Sequence, residues 1–393
     1  MTEFSRNVAT LQPSATIAVS SRVKQMIAQG EDILDLCVGE PDFGTPDFIA
    51  EAGIEAIREG KTRYTPAPGI PQLRAAIAHD LQRLSPTAEK IDPHGIVVSA
   101  GAKQALFNVI FSLFGPGDRV LIPQPYWTSY PPLVELARAE PVPVPGDASR
   151  DHKVGVDDLE RAAAGGARGL LLNSPGNPTG TVYTLPELET IVTWAAKRNI
   201  WIISDEIYRR ICFDSPLAPS ILDLPAELRE RAVVIDGASK AFAMTGWRIG
   251  FSLTSVPLAE KISALQSQTT SSATTPAQWA ALAAYADQQR ADAEIERMRS
   301  RFQSRRDLLV SLFREQLPQL PFVEPHGAFY LWISTARAAR PGEGSVAFCE
   351  RLLKDHGVAL VPGEAFGDDT GVRLSFAYSE ETLREAVRRL AKL

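Results

Sequence analysis

The chain has 393 residues, of which 45% are hydrophobic and 22% charged, with a formal net charge of −6 and a sequence pI near 5.6. That length exceeds one ordinary core and predicts two domains, or a large domain with a smaller lobe. The mild acidic balance argues against a nucleic-acid polyanion as the main partner, and no run reaches the roughly 18 apolar residues of a membrane span.

Cys37, Cys212 and Cys349 are odd in number and far apart, which predicts reduced thiols rather than a disulfide framework. The first 19 residues, with Glu3, Arg6 and Asn7, lack the apolar core of a signal peptide, so the cytoplasm is the expected compartment. No internal repeat or low-complexity tract stands out.

In chain order, residues 1–40 read as an arm with a short strand at 33–38. Residues 41–285 read as a large domain built on β/α alternation, with apolar β-rich runs at 96–98, 120–122, 169–172, 200–203, 233–235 and 249–253. Leu106, Val109, Ile110 and Leu113 recur at helical spacing and predict a helix over 103–114. Pro186 suits the first turn of a helix over 186–198. Apolar strands without polar alternation, joined by helices, predict an α/β fold: a mostly parallel sheet flanked by helices. Residues 286–393 read as a smaller α+β domain. A long charged helix over 286–317 precedes strands at 329–333, 358–361 and 372–377 and a last helix over 379–392. Ser379 is placed to cap that helix, and Glu380 and Glu381 suit its dipole. The strand in the arm has no local neighbour, so it is expected to join the small domain.

Ligands of open parallel sheets sit beyond the carboxyl ends of the strands. Here those ends carry Ser99 to Lys103, with Gly101 and Ala102 between them, then Tyr126-Trp127, Asn173 to Gly180 with Asn177, Asp205-Glu206 with Tyr208, and Ser239-Lys240. An anion site, an aromatic plate, a carboxamide, a carboxylate and an amine thus meet at one edge. That inventory suits a flat, phosphorylated heteroaromatic aldehyde. The chain has no G-x-G-x-x-G, G-x-x-x-x-G-K-[ST], G-x-S-x-G or H-E-x-x-H pattern, and its five histidines show no metal-ligand spacing.

These stretches carry a resemblance. With Pro13-Ser14-Ala15-Thr16, Gly39-Glu40-Pro41-Asp42-Phe43, Lys61-Thr62-Arg63-Tyr64, Gly246-Trp247-Arg248-Ile249-Gly250 and Arg373-Leu374-Ser375, the chain resembles class I pyridoxal-phosphate-dependent aminotransferases of fold type I. Within them it resembles the bacterial aspartate and aspartate/prephenate subgroup. The likeness covers nearly the whole chain. Ser-Lys followed by G-x-R-x-G is its most specific part.

The resemblance implies pyridoxal 5'-phosphate as cofactor and a role for each motif. Lys240 would hold the cofactor covalently and, once freed, move the proton at the substrate α-carbon. Asp205, rather than Glu206, would face the pyridine nitrogen. Tyr208 and Asn177 would reach the phenolic oxygen, and Trp127 would stack on the ring. The backbone of Gly101, Ala102 and Lys103, the Ser239 hydroxyl and the Arg248 guanidinium would cup the phosphate. Tyr64 would reach that phosphate from a neighbouring subunit, which implies a homodimer with shared sites. Arg373 would clamp the substrate α-carboxylate with its planar fork, helped by the Gly39 backbone, Trp127 and Asn177. Lys103, Thr16 and Ser14 would read a distal carboxylate, since residues 267–279 contain no arginine for that task. The implied substrates are amino acids and 2-oxo acids: aspartate or glutamate with 2-oxoglutarate, oxaloacetate or prephenate. A broader or aromatic range, a β-lyase or decarboxylase on the same fold, and a cofactor-binding regulatory module are the alternatives. The last would need a basic DNA-binding segment. No metal is expected.

Overall fold

The computed structural model describes residues 4–393 except Arg6, Thr10, Ser14 and Glu89; the side chains of Ala15 and Ile17 are also not described. The N-terminal helix Ala15–Ala28 leads to β1 (Leu34–Asp35). Helices Asp47–Arg58 and Pro71–Leu84 follow, and then β/α alternation begins. It runs through β2 (Ile96–Ser99), helix Ala102–Leu113, β3 (Arg119–Gln124), helix Tyr130–Leu136 and β4 (Glu140–Pro145). Next come β5 (Gly169–Asn173), helix Leu185–Lys197, β6 (Trp201–Asp205), β7 (Ala232–Gly237) and β8 (Gly250–Leu253).

These strands form one sheet in the order β2-β8-β7-β6-β5-β3-β4. Adjacent pairs are parallel except where β8 lies antiparallel between β2 and β7. That reversal has a functional use: the start of β8 lies beside the ends of β2 and β7, so the residues just before Gly250 arrive at the carboxyl edge of the sheet. The strands are apolar on both faces because helices cover both. Two clusters result. Ile96, Val98, Leu170, Ile202 and Val234 belong to one, and Val97, Leu171, Ile203, Val233 and Ile235 to the other. Thr184 opens helix Leu185–Lys197 with a capping box to Glu187, which satisfies amides that the helix itself cannot.

The remainder builds a smaller α+β lobe. The long helix Gln288–Gln316 precedes β9 (Phe322–Val323), β10 (Tyr330–Ser334), helix Ser345–His356, β11 (Val358–Ala359), β12 (Val361–Pro362), β13 (Gly371–Ser375) and helix Glu380–Leu390. Its main sheet has the order β12-β13-β10-β9. β1 pairs in parallel with β11, Leu34 opposite Val358, so the amino-terminal strand is part of this lobe's structure. A partly buried ion-pair network fastens the long helix to the large domain: Asp80 accepts from Arg210 and Arg83, and both arginines also meet Asp292. Among the described residues, no helix is long and apolar enough to cross a membrane, and no cluster of side chains could hold a metal ion.

Candidate active site

A cavity of about 470 Å³ opens at the carboxyl edge of the large sheet. Its far wall comes from the small lobe, through Tyr330 on β10 and Arg373 on β13, and from the N-terminal helix.

β6 delivers Asp205 to the floor, 3% exposed. The Tyr130 hydroxyl donates to its Oδ2 at 2.8 Å and the Ile207 amide to its Oδ1 at 3.2 Å. Burial pushes its pKa up to about 6, against the pull of those two hydrogen bonds. Glu206 points away from the cavity, where its Oε1 accepts from the Ser204 hydroxyl and the Ile221 amide. The alternation of side chains at a strand end therefore selects Asp205 over its neighbour.

β7 ends in the short helix Ala238–Ala241, which presents Ser239 and Lys240. Lys240 Nζ donates to the Gly39 carbonyl at 2.6 Å. Burial lowers its pKa to about 8; Glu40 opposes that shift, while Arg373 and Arg248 add to it. A lysine so tuned has a substantial neutral fraction near physiological pH and is a nucleophile.

An anion site lies alongside. Gly101, at φ +84°, precedes helix Ala102–Leu113 and offers no side-chain cap, so the first amides, those of Ala102 and Lys103, have no acceptor within the helix. A Cβ on Gly101 would lie 2.5 Å from Arg248 Nη2, and one on Gly250 would lie 2.2 Å from the Ala102 nitrogen. Only glycine at both positions lets the guanidinium and the helix start come together. Arg248 is itself held in the left-handed region, at φ 60°. Its Nη1 donates to the Thr245 carbonyl at 2.9 Å. Such backbone strain is retained where surrounding structure fixes it.

On the opposite wall, Arg373 is 2% exposed. Its Nη1 donates to Asn177 Oδ1 at 3.0 Å and its Nη2 to the Cys37 carbonyl at 2.5 Å, while its Nε has no partner among the described residues. Asn177 is set by its own amide, which donates to Asn173 Oδ1 at 2.8 Å. The Tyr208 and Tyr330 hydroxyls lie 2.7 Å apart beside it. Trp127 is half-buried, edge-on to Tyr130, with Lys103 Nζ 4.9 Å from its ring centre. The Lys103 side chain is exposed, yet the surrounding protein partly desolvates its ammonium, and with Arg248 nearby holds its pKa below the usual lysine value.

Thr16, Gly39, Ala102, Lys103, Trp127, Asn177, Asp205, Tyr208, Ser239, Lys240, Arg248 and Arg373 thus line one cavity, with Gly101 packed behind Arg248. Tyr64 does not join them within one chain: it is 92% exposed. Ser14 lies outside the described residues. Sequence reasoning missed Tyr130, Tyr330 and Glu40. Tyr130 could have been found three residues after Trp127, on the first turn of the next helix.

These residues fit pyridoxal 5'-phosphate. Asp205 is a buried carboxylate whose raised pKa reports the want of a cation, which a protonated ring nitrogen would supply. Unsatisfied helix amides with Ser239 and Arg248 fit a phosphate, and Lys240 fits an aldehyde.

Comparison with known proteins agrees. The family described as aminotransferase class I and II matches residues 31–390. The chain is 38% identical to the aspartate aminotransferase of Bacillus sp. (strain YM-2), over 98% of each chain. It is 39% identical to the probable aspartate/prephenate aminotransferase of Aquifex aeolicus, over 98% of this chain and 97% of that one. The solved aspartate aminotransferase from Thermus thermophilus with maleate superposes with a TM-score of 0.94 at 38% identity, covering 100% of both chains. Its sequence, its fold and the chemistry of its cavity together place this chain in the class I and II aminotransferases, a pyridoxal-phosphate-dependent family, and it is an aminotransferase.

Proposed function

We propose that the chain moves the amino group between aspartate or glutamate and a 2-oxo acid, either 2-oxoglutarate, oxaloacetate or prephenate, with pyridoxal 5'-phosphate held at Lys240. The observation that carries this reading is one cavity holding a buried arginine, Arg373, and a second, partly desolvated cation, Lys103. Two cations suit a substrate with two carboxylates. The relatives' names and the maleate in the Thermus structure support the same class.

When bound, the cofactor supplies the electron sink for the α-carbon. Asp205 holds a proton on the ring nitrogen by pairing with it. Tyr208 and Asn177 orient the phenolic oxygen, Trp127 the ring face, and Ala102, Lys103, Ser239 and Arg248 the phosphate. Arg373 binds the α-carboxylate with Asn177 and the Gly39 backbone, and Lys240 Nζ takes and returns the α-proton. Residues 1–40 and 286–393 form the domain that closes on residues 41–285 and excludes water. The pairing of β1 with β11 supports that grouping.

A panel of amino donors against 2-oxoglutarate, oxaloacetate and prephenate tests the specificity. Lys103→Ala is expected to lower kcat/KM for aspartate and prephenate by roughly 1–2 kcal/mol, between an exposed and a buried charge pair. Neutral donors should lose only a few tenths. Equal losses for acidic and neutral donors would assign Lys103 to the phosphate and leave the dicarboxylate reading without its residue.

The enzyme works as a homodimer in which Tyr64 reaches the partner's phosphate. Its exposure supports this, because its loop is pinned on the inner side: Thr275 Oγ1 donates to the Arg63 carbonyl at 2.7 Å and Gln278 Nε2 to Thr65 Oγ1 at 3.0 Å. Mixing Tyr64→Ala with Lys240→Ala subunits is expected to regenerate activity, since one site of each hybrid holds both native residues. A monomer that stays fully active on dilution contradicts the shared site.

A further inference from the structure

We infer that Lys24 reads the second carboxylate of substrates longer than aspartate, an inference that rests on the dicarboxylate specificity proposed for this cavity. Thr16, Ser20 and Lys24 lie four residues apart on helix Ala15–Ala28, so they share one face, and all three line the cavity. The helix is fastened by other residues. Val23 is fully buried in a cluster with Cys37, Trp332, Val361 and Phe366, and Arg22 pairs with Glu350 at 3.6 Å. Lys24 is therefore held toward the cavity by a helix docked on the small lobe.

Three of the cavity's other cations are engaged in hydrogen bonds. Arg373 donates to Asn177 and Cys37, Arg248 to Thr245 and Ala100, and Lys240 to Gly39. Lys103 sits over Trp127. Glu40, which also lines the cavity, accepts from Thr245 Oγ1 at 3.0 Å. The Lys24 ammonium has no ion pair or hydrogen bond among the described residues, and its side chain is exposed. It also stands about 12 Å along the helix from Thr16. Two cations thus await a distal carboxylate at two depths. A short arm meets Lys103, beside the aromatic plate; a longer arm extends toward the rim and Lys24. The ligand class is 2-amino and 2-oxo α,ω-diacids longer than four carbons.

The test compares wild-type holoenzyme with Lys24→Met and Lys24→Arg. Calorimetry would measure binding of succinate, glutarate and adipate, and kinetics would follow aspartate, glutamate and 2-aminoadipate. Lys24→Met is expected to weaken adipate about fivefold, the upper range for an exposed ion pair. The KM for 2-aminoadipate should rise alike with kcat unchanged, while succinate and aspartate hold within a factor of about 1.5. Lys24→Arg should keep the wild-type pattern, and salt near 1 M should erase the difference. A change equal along the ladder, or none, overturns the role of Lys24 while wild-type preference for diacids over monoacids leaves the dicarboxylate reading standing. A wild type indifferent to the second carboxylate overturns both.

Discussion

Replacing Lys240 by alanine is expected to lower turnover by at least about 10⁴-fold, because one side chain supplies both the covalent attachment and the proton transfer. The environment explains why no neighbour can substitute. Lys103 and Lys24 line the same cavity, but neither follows the strand end that sets Lys240 against the Gly39 carbonyl at 2.6 Å. Arginine would keep the charge and lose the nucleophile. Borohydride treatment of the yellow holoenzyme should fix the cofactor to the peptide carrying Lys240. The same burial that lowers its pKa to about 8 makes a second prediction of sign: in cofactor-free protein, acylation of Lys240 should become half-maximal near pH 8, well below an exposed lysine. Label on another lysine, or turnover within a hundredfold of wild type, would sink the assignment.

Asp205→Ala should leave a folded protein and cut turnover by about 3–5 kcal/mol, roughly 10²–10⁴-fold, the cost of removing one partner of a buried charge pair. Without the carboxylate, nothing on the floor holds a proton on the ring nitrogen; Glu206 faces the Ser204 hydroxyl and the Ile221 amide instead. Stability should move the other way in cofactor-free protein. The folded pKa of Asp205 is raised from 3.8 to about 6, so between these values the unfolded chain ionises first and the folded state loses stability as pH rises. The penalty, about 3 kcal/mol, is complete above pH 6 and absent below pH 4. Asp205→Asn, which can still accept from Tyr130, should therefore raise the melting temperature of cofactor-free enzyme at pH 7 and leave it unchanged at pH 4. Near-normal turnover in Asp205→Ala would assign the ring proton to another group.

Much of this was legible in sequence because the signals were local. Fully buried parallel strands announce themselves as unbroken apolar runs, and the polar residues closing them fell at one edge. β4 escaped notice because Pro141, Pro143 and Pro145 disguise it; as the strand at the end of the sheet order it can forgo ladder donors. Tyr330 sat within a recognised strand, but no spacing rule says that its hydroxyl meets Tyr208 across 122 residues of sequence. Glu40 and Lys24 were hidden for the same reason: their place at the cavity depends on where the arm docks, which is a tertiary fact. The role proposed for Tyr64 rests on resemblance, since a single chain leaves it facing outward.

The pairing of Leu34 with Val358 has a consequence for the order in which the protein can mature. β1 is made well before its partner, which follows more than three hundred residues later. At about 5–20 residues per second, the arm waits roughly 15–65 s on the ribosome before it can dock. Arg373 cannot meet the Cys37 carbonyl any sooner. Nascent chains should therefore present the phosphate cup well before the substrate clamp, and capture cofactor before they can hold an amino acid.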